Sequence, residues 1–338
     1  MARMKAAQIS KAHGDFELVE RNIPDPARNQ VRIKVEACGV CHSDVVVKEG
    51  MFPGQQYPRI PGHEIAGRID AVGADVTNWK AGQRVGVGWH GGHCFVCEFC
   101  RRGDFILCVN EKITGVNYDG GYAEYVVVPG EAVAAIPDEL PAAEAGPLMC
   151  AGITVYNSMR NAGARPGDTV AIQGIGGLGH LGVQYARQMG FRTVAIGRGA
   201  GTEQLARKLG AHVYVDTSAG SAAEALQKLG GAQVIVATAP DAKAISSLVD
   251  GVKAGGKLLV IGVTPDALAA SPFQIVQTRR GIQGWPAGTA MDSEDTLKFS
   301  ALTGVRPMIE KFPLEKVQEA YDHMMSGNVK FRAVLTMG

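Results

Sequence analysis

The sequence predicts a two-domain α/β protein, in which a mostly β domain accompanies an open α/β domain with a parallel sheet. Three observations carry that expectation. The chain has 338 residues, which is large for a single core. Its 44 glycines suit the many tight turns and close backbone approaches of an open α/β sheet. The hydrophobic pattern also changes near Ala151, from short strands between turns to strands alternating with helices.

The elements follow in order. "QVRIKVEACGV" (30–40) alternates as a strand, "RVGVGW" (84–89) is a brief buried one, and "GGYAEYVVVP" (120–129) is another, closed by Pro129. Next comes a helix in "GITVYNSMRNAG", ending at Gly163. "DTVAIQGIGGLGHLGVQYARQMG" is a strand, a glycine turn and a helix. "FRTVAIG" is a strand and "TEQLARKLG" a helix; "QVIVATA" is a strand, "DAKAISSLVDGVKAG" (241–255) a helix and "GKLLVIGV" a strand. Strands of this length alternating with helices are the βαβ pattern of a parallel sheet. Two helices, "SEDTLKFSALTG" and "LEKVQEAYDHMMSG", then precede a last strand, "FRAVLTM".

Composition excludes some roles. Hydrophobic residues make up 46% and charged residues 20%, as in soluble globular proteins, and the formal charge of +1 supplies no field toward nucleic acid or anionic membrane. No window of 18 apolar residues and no leader-like N-terminus is present, so a cytoplasmic protein with neither membrane nor nucleic-acid partner is expected.

Gly174, Gly176 and Gly179, with Gly177 and Leu178 between them, form G-x-G-x-x-G between a strand and a helix. There the first glycine permits the turn, the second lets backbone approach a pyrophosphate, and the third allows close helix–strand packing. His180 reads as a helix-surface or packing residue. The next strand ends in Gly197 and Arg198 rather than a ribose-gripping carboxylate, which favours NADP over NAD. The alternative is a solvent-facing Arg198 beside an NAD site.

Seven cysteines in a reducing compartment point to metal rather than disulfides. Cys94, Cys97, Cys100 and Cys108 have the spacing C-x2-C-x2-C-x7-C, suited to a closed tetrahedral zinc, with an iron–sulfur cluster as the competitor. A nucleic-acid finger is disfavoured: no recognition helix follows, and Arg101 and Arg102 are offset by Glu98 and Asp104. Cys41, His63 and Cys150 could hold a second zinc with one position open, and Glu64 adjoins His63. By spacing alone Cys38, Cys41 and Cys150 could equally be buried core thiols.

Together these motifs resemble the zinc-dependent medium-chain alcohol dehydrogenases, close to their bacterial alcohol-preferring group. "CGVCHSD", "PGHE", "LMCAGITVY", "CFVCEFCRRGDFILC", "GIGGLGHLGVQYA" and "MMSGNVKFRAVL" carry the likeness, in this order over nearly the full length. The resemblance implies a GroES-like catalytic domain of residues 1–153 and 293–338, with a structural zinc lobe at about 90–110, and a Rossmann domain of 154–292. It places catalytic zinc on Cys41, His63 and Cys150, with Glu64 as an alternate or near ligand, and a second zinc on the lobe. Ser43 would relay the substrate proton, Asp44 would hold His63, Thr154 would sit beside nicotinamide, and Arg332 would approach the cofactor pyrophosphate. Many relatives complete the relay with a histidine three residues after the hydroxyl; Val46 stands there, so the last step falls to water or the cofactor ribose.

Phe52, Tyr57, Trp89 and Trp285 are the candidate pocket walls, suited to apolar or aromatic primary alcohols and their aldehydes. The family forms dimers and tetramers, so a homo-oligomer is expected. Alternatives are an NADPH-dependent aldehyde reductase of the same family and a non-catalytic zinc-stabilised dinucleotide scaffold.

Overall fold

The computed structural model describes residues 2–327 and 329–338. It divides into two compact units, one of residues up to Ile153 together with Gly288–Gly338, the other of Thr154–Ala287. The strands are β1 (Arg3–Ile9), β2 (Phe16–Asn22), β3 (Gln30–Val40), β4 (Ile65–Val72), β5 (Arg84–Val87), β6 (Tyr125–Pro129), β7 (Val133–Ala135), β8 (Thr169–Gln173), β9 (Arg192–Gly197), β10 (Val213–Asp216), β11 (Ala232–Ala237), β12 (Val252–Val260), β13 (Gly281–Gly284), β14 (Ile309–Pro313) and β15 (Arg332–Thr336).

The first unit holds an antiparallel β1–β2 pair and a seven-stranded sheet in the order β14-β15-β3-β4-β5-β7, with β6 also on β3. Only β14–β15 is parallel within that sheet. Strand β3 shows how sequence positions the site. Val31, Ile33 and Val35 face the core by simple alternation, while Arg32, Lys34 and Glu36 do not. From Ala37 to Val40 alternation ceases and every residue is buried. The strand thus leaves the half-solvated part of the sheet and delivers Cys41 into the interior.

The second unit is a six-stranded parallel sheet in the order β10-β9-β8-β11-β12-β13. Numbered from β8, this is the 3-2-1-4-5-6 order of dinucleotide-binding sheets, in which ligands bind outside the strand ends where the order reverses, between β8 and β11. The predicted fold class is therefore observed, with local corrections: the strand expected over 120–129 forms only from Tyr125. The helix expected over 241–255 covers only Ala242–Ser246, and Val252 already opens β12. Gly251 and Gly255 lie in that stretch, and Gly255 has φ +74, which a helix does not accommodate. No helix among the described residues is long and apolar enough to cross a membrane.

Candidate metal centre and cofactor turn

Three separate segments of the first unit converge on one point. Cys41 follows β3 and precedes a single 3₁₀ turn, His42–Asp44. His63 and Glu64 immediately precede β4. Cys150 lies in a π-helical segment, Leu148–Gly152, between the helices Ala142–Pro147 and Ile153–Arg160. Such wide turns recur at functional sites because the extra residue re-aims a side chain. Sequence reasoning missed the helix before residue 152.

The ligand atoms of Cys41, His63, Glu64 and Cys150 all lie within 4.8 Å of one another. Cys41 and Cys150 sulfurs are 3.7 Å apart. Two sulfurs on one tetrahedral zinc, each at about 2.3 Å, would be about 3.8 Å apart. His63 Nδ1 lies 3.2 Å from Asp44 Oδ1, so Nε2 is the free ring nitrogen, and it is buried with no hydrogen-bond partner. An orphaned buried imidazole nitrogen beside two soft sulfurs is what a zinc site requires. The residues present fit that ion.

These groups are electrostatically coupled, and a metal would displace protons on binding. The hydrogen bond between the two thiols holds Cys41 well below the usual thiol range and Cys150 well above it, leaving one sulfur as a ready anionic donor. Burial opposes charge on His63, but Asp44 and Cys41 outweigh it and push the imidazole up. Cys38 is different: it is fully buried, and burial pushes its thiol well up. It is a core thiol.

Glu64 is fully buried and bonded by Arg332 from β15, while its Oε2 has no partner. Burial raises its carboxyl to about 7 against the opposing pull of Arg332. Gly39 makes this arrangement possible, because a Cβ there would overlap the Glu64 carboxylate. Arg332, expected at the cofactor pyrophosphate, is buried in this ion pair, and its Nε is unpartnered. Ser43 and Val46 are both half-buried.

Among the aromatic candidates, Phe52, Tyr57 and Trp89 gather around Val47, Ile113 and Val116. Trp89 packs its ring edge-on against His63, with centroids 4.8 Å apart. Trp285 belongs to the second unit, where it lines a cavity of about 340 Å³ with Val260, Ile261, Val263 and Leu268.

The cysteine lobe closes on itself. Its four sulfurs lie within 4.8 Å of one another, with edges of 3.6 Å (Cys94–Cys108), 3.9 Å (Cys97–Cys108) and 4.0 Å (Cys94–Cys100). Backbone N–H groups of Cys94, Cys97 and Asn110 point at these sulfurs. Asn110 and the neighbouring amides bring the Cys94 thiol down to about 6. Burial pushes the Cys100 thiol up to about 12, so binding there would displace its proton, and a cage of four sulfurs this small could hold one ion, which suits zinc better than a multi-iron cluster.

In the second unit Gly174 has φ +83, Gly176 has open space where a Cβ would stand, and a Cβ at Gly179 would overlap the Gly174 carbonyl. Gly177 and Leu178 complete the turn, and the helix Gly179–Gln188 begins there. Thr238, at the end of β11, donates to the carbonyls of Gln173 and Gly174. His180 is fully buried and donates from Nδ1 to the Gly176 carbonyl, so it braces the turn. Thr154 is half-buried at the start of this unit.

Gly197 ends β9 and Arg198 is exposed. The sequence reading that no carboxylate stands there needs correction. Parallel pairing sets Asp216 of β10 beside Gly197. Its Oδ1 accepts from the amides of Gly199 and Ser218 and from the Ser218 hydroxyl, and these bonds hold its carboxyl below the usual range.

Known proteins match along most of the chain. Residues 27–138 match the alcohol dehydrogenase GroES-like domain, and 177–301 match the zinc-binding dehydrogenase domain. The alcohol dehydrogenase patD of Penicillium expansum is 46% identical, over 98% of this chain and 97% of that protein. An alcohol dehydrogenase of Geobacillus stearothermophilus is 37% identical, over 98% and 99%. Among solved structures, CAD from Helicobacter pylori complexed with NADP(H) has a TM-score of 0.87 at 26% identity, covering 99% of this chain and 98% of that one. Acetophenone reductase from Geotrichum candidum in complex with NAD has a TM-score of 0.84 at 26% identity, covering 99% and 97%.

Proposed function

Because the chain belongs to the zinc-dependent medium-chain alcohol dehydrogenase family, we propose that it interconverts alcohols with aldehydes or ketones by hydride exchange with NADP(H). The observation that carries this reading is the convergence of Cys41, His63 and Cys150 around a buried, unpartnered His63 Nε2. These residues would hold the catalytic zinc, and Cys94, Cys97, Cys100 and Cys108 a structural one. When bound, zinc supplies Lewis acidity toward the substrate oxygen, and nicotinamide supplies or accepts the hydride.

The chain's own residues do the rest. Asp44 holds His63 by Nδ1 and so keeps Nε2 toward the centre. Ser43 accepts the proton of the substrate hydroxyl and passes it outward. Val46 has no atom that can carry it further, so release goes through water or the cofactor ribose. Phe52, Tyr57 and Trp89 favour apolar or aromatic substrates, because their rings gather with Val47, Ile113 and Val116 and Trp89 abuts His63. Arg198 favours NADPH by offering a cation to a 2′-phosphate, against the opposing charge of Asp216, which β10 sets beside Gly197.

The deciding experiment measures zinc per chain in purified protein, then turnover of alcohols and aldehydes with NAD(H) and NADP(H). Two zinc ions and NADP(H)-dependent turnover are expected. One zinc and no turnover with any substrate would leave a dinucleotide-binding scaffold.

A further inference from the structure

Tyr122 belongs to none of the motifs above, yet it is among the largest fully buried side chains. It lies before β6, and two hydrogen bonds lock its main chain: its N–H donates to Pro61 O (3.0 Å), and its carbonyl accepts from Ala7 N–H (2.8 Å). Gly120 and Gly121 donate to Ile60 and Gly62 in the same way. The segment that carries Tyr122 is therefore laced to the segment that carries His63. The glycine of "PGHE" has a second use here. Gly62 sits at φ +101, and a Cβ there would lie 2.5 Å from the Tyr122 ring.

The ring so placed aims its hydroxyl at Asp44. Tyr122 OH donates to Asp44 Oδ2 at 2.6 Å, and the same oxygen accepts from Cys41 N–H at 2.9 Å. The other oxygen, Oδ1, faces His63 Nδ1. Asp44 is itself buried, so its orientation depends on these three groups rather than on water. Burial pushes the Tyr122 phenol well up, which keeps it a donor.

We propose that Tyr122 is a positioning residue for the catalytic metal: its phenol fixes the Asp44 carboxylate, which in turn sets the His63 ring and the Cys41 main chain. The proposal rests on the assignment of Cys41, His63 and Cys150 as metal ligands. Two of those three ligands are thereby tied to one carboxylate, and that carboxylate to one phenol. Removal of such outer partners costs about 10–100-fold in metal affinity or activity.

The test compares Tyr122→Phe with Tyr321→Phe. Tyr321 is also buried, packs at a tilt against the same Phe16, and has a hydroxyl without a partner, so it controls for loss of a buried phenol. Metal-free protein is titrated with Co²⁺ against a competing chelator, and the cobalt absorption bands are recorded. Circular dichroism checks the fold. Tyr122→Phe should lower affinity at one of two sites by tenfold or more and shift that site's bands, whereas Tyr321→Phe and the lobe site should match the parent. Added to Asp44→Asn, Tyr122→Phe should have little further effect, since both act through one carboxylate. Parent-like affinity and spectra in Tyr122→Phe would overturn the proposal, as would equal losses in both tyrosine variants, or full additivity with Asp44→Asn. A parent protein that takes up cobalt only in the lobe would instead overturn the metal assignment, and this proposal with it.

Discussion

Neutralising Glu64 tests whether the buried pair behind the metal centre is structural. Glu64 is fully buried and Arg332 only 7% exposed. Glu64→Gln keeps the shape but removes the guanidinium's main counter-charge. Breaking a buried pair from one side costs about 3–5 kcal/mol, because the remaining charge stays desolvated. At about 2–4 °C per kcal/mol for a unit of this size, Tm should fall by roughly 6–20 °C. The assay is thermal unfolding of the metal-loaded, cofactor-free protein at low and high salt, well above pH 7, where the Glu64 carboxyl is ionised. Added salt should recover little of the loss, since buried charges are weakly screened. The double variant Glu64→Gln with Arg332→Met should be more stable than either single variant, because it leaves no lone charge. If Arg332 served only a bound cofactor, Glu64→Gln would leave Tm of the cofactor-free protein unchanged, and that result would refute the reasoning.

Three further outcomes are expected. Cys150→Ser should abolish turnover and lower zinc from two ions to one per chain while the fold persists; metal analysis with an activity assay checks this, and parent-like turnover with one fewer zinc would contradict it. Cys100→Ser should release the lobe zinc and lower Tm, since a structural zinc contributes folding energy, and zinc loss with unchanged melting would count against that role. Arg198→Ala should weaken NADPH binding about tenfold or more and barely change NADH, read by fluorescence titration of each reduced cofactor, because a charge-assisted contact is worth about 1.5–3 kcal/mol. Arg198 is a cleaner probe than Gly197→Asp: a Cβ at Gly197 would come within 2.8 Å of Thr202 and 3.0 Å of the Tyr214 hydroxyl.

The parts legible in the sequence share one property, namely that their chemistry is local. The four lobe cysteines fall within residues 94–108, so spacing alone indicates that one ion can gather them. The glycine turn is legible because each glycine answers a steric demand within a few residues, as the overlap of a Gly179 Cβ with the Gly174 carbonyl shows. The alternation of strands and helices likewise announces a parallel sheet from periods of two and 3.6.

The proposed ligand set of the first unit is not legible in that way. By spacing alone Cys41, His63 and Cys150 read equally well as core residues or as ligands, and only family likeness joins them. In the fold, antiparallel register pairs Cys38 with Ile65 and so brings the segment after β3 to the one before β4, while a π turn aims Cys150. Tyr122 is recognisable only once its ring lies against Gly62, and Asp216 only once β10 lies against β9. The helix expected to run through residue 255 failed because Val252 pairs with Ala232 of β11, a demand set twenty residues away. Local periodicity states which face of a strand is buried, but register is settled by hydrogen-bond ladders and packing between distant segments. Partners that meet across those ladders are therefore decided by the tertiary structure alone.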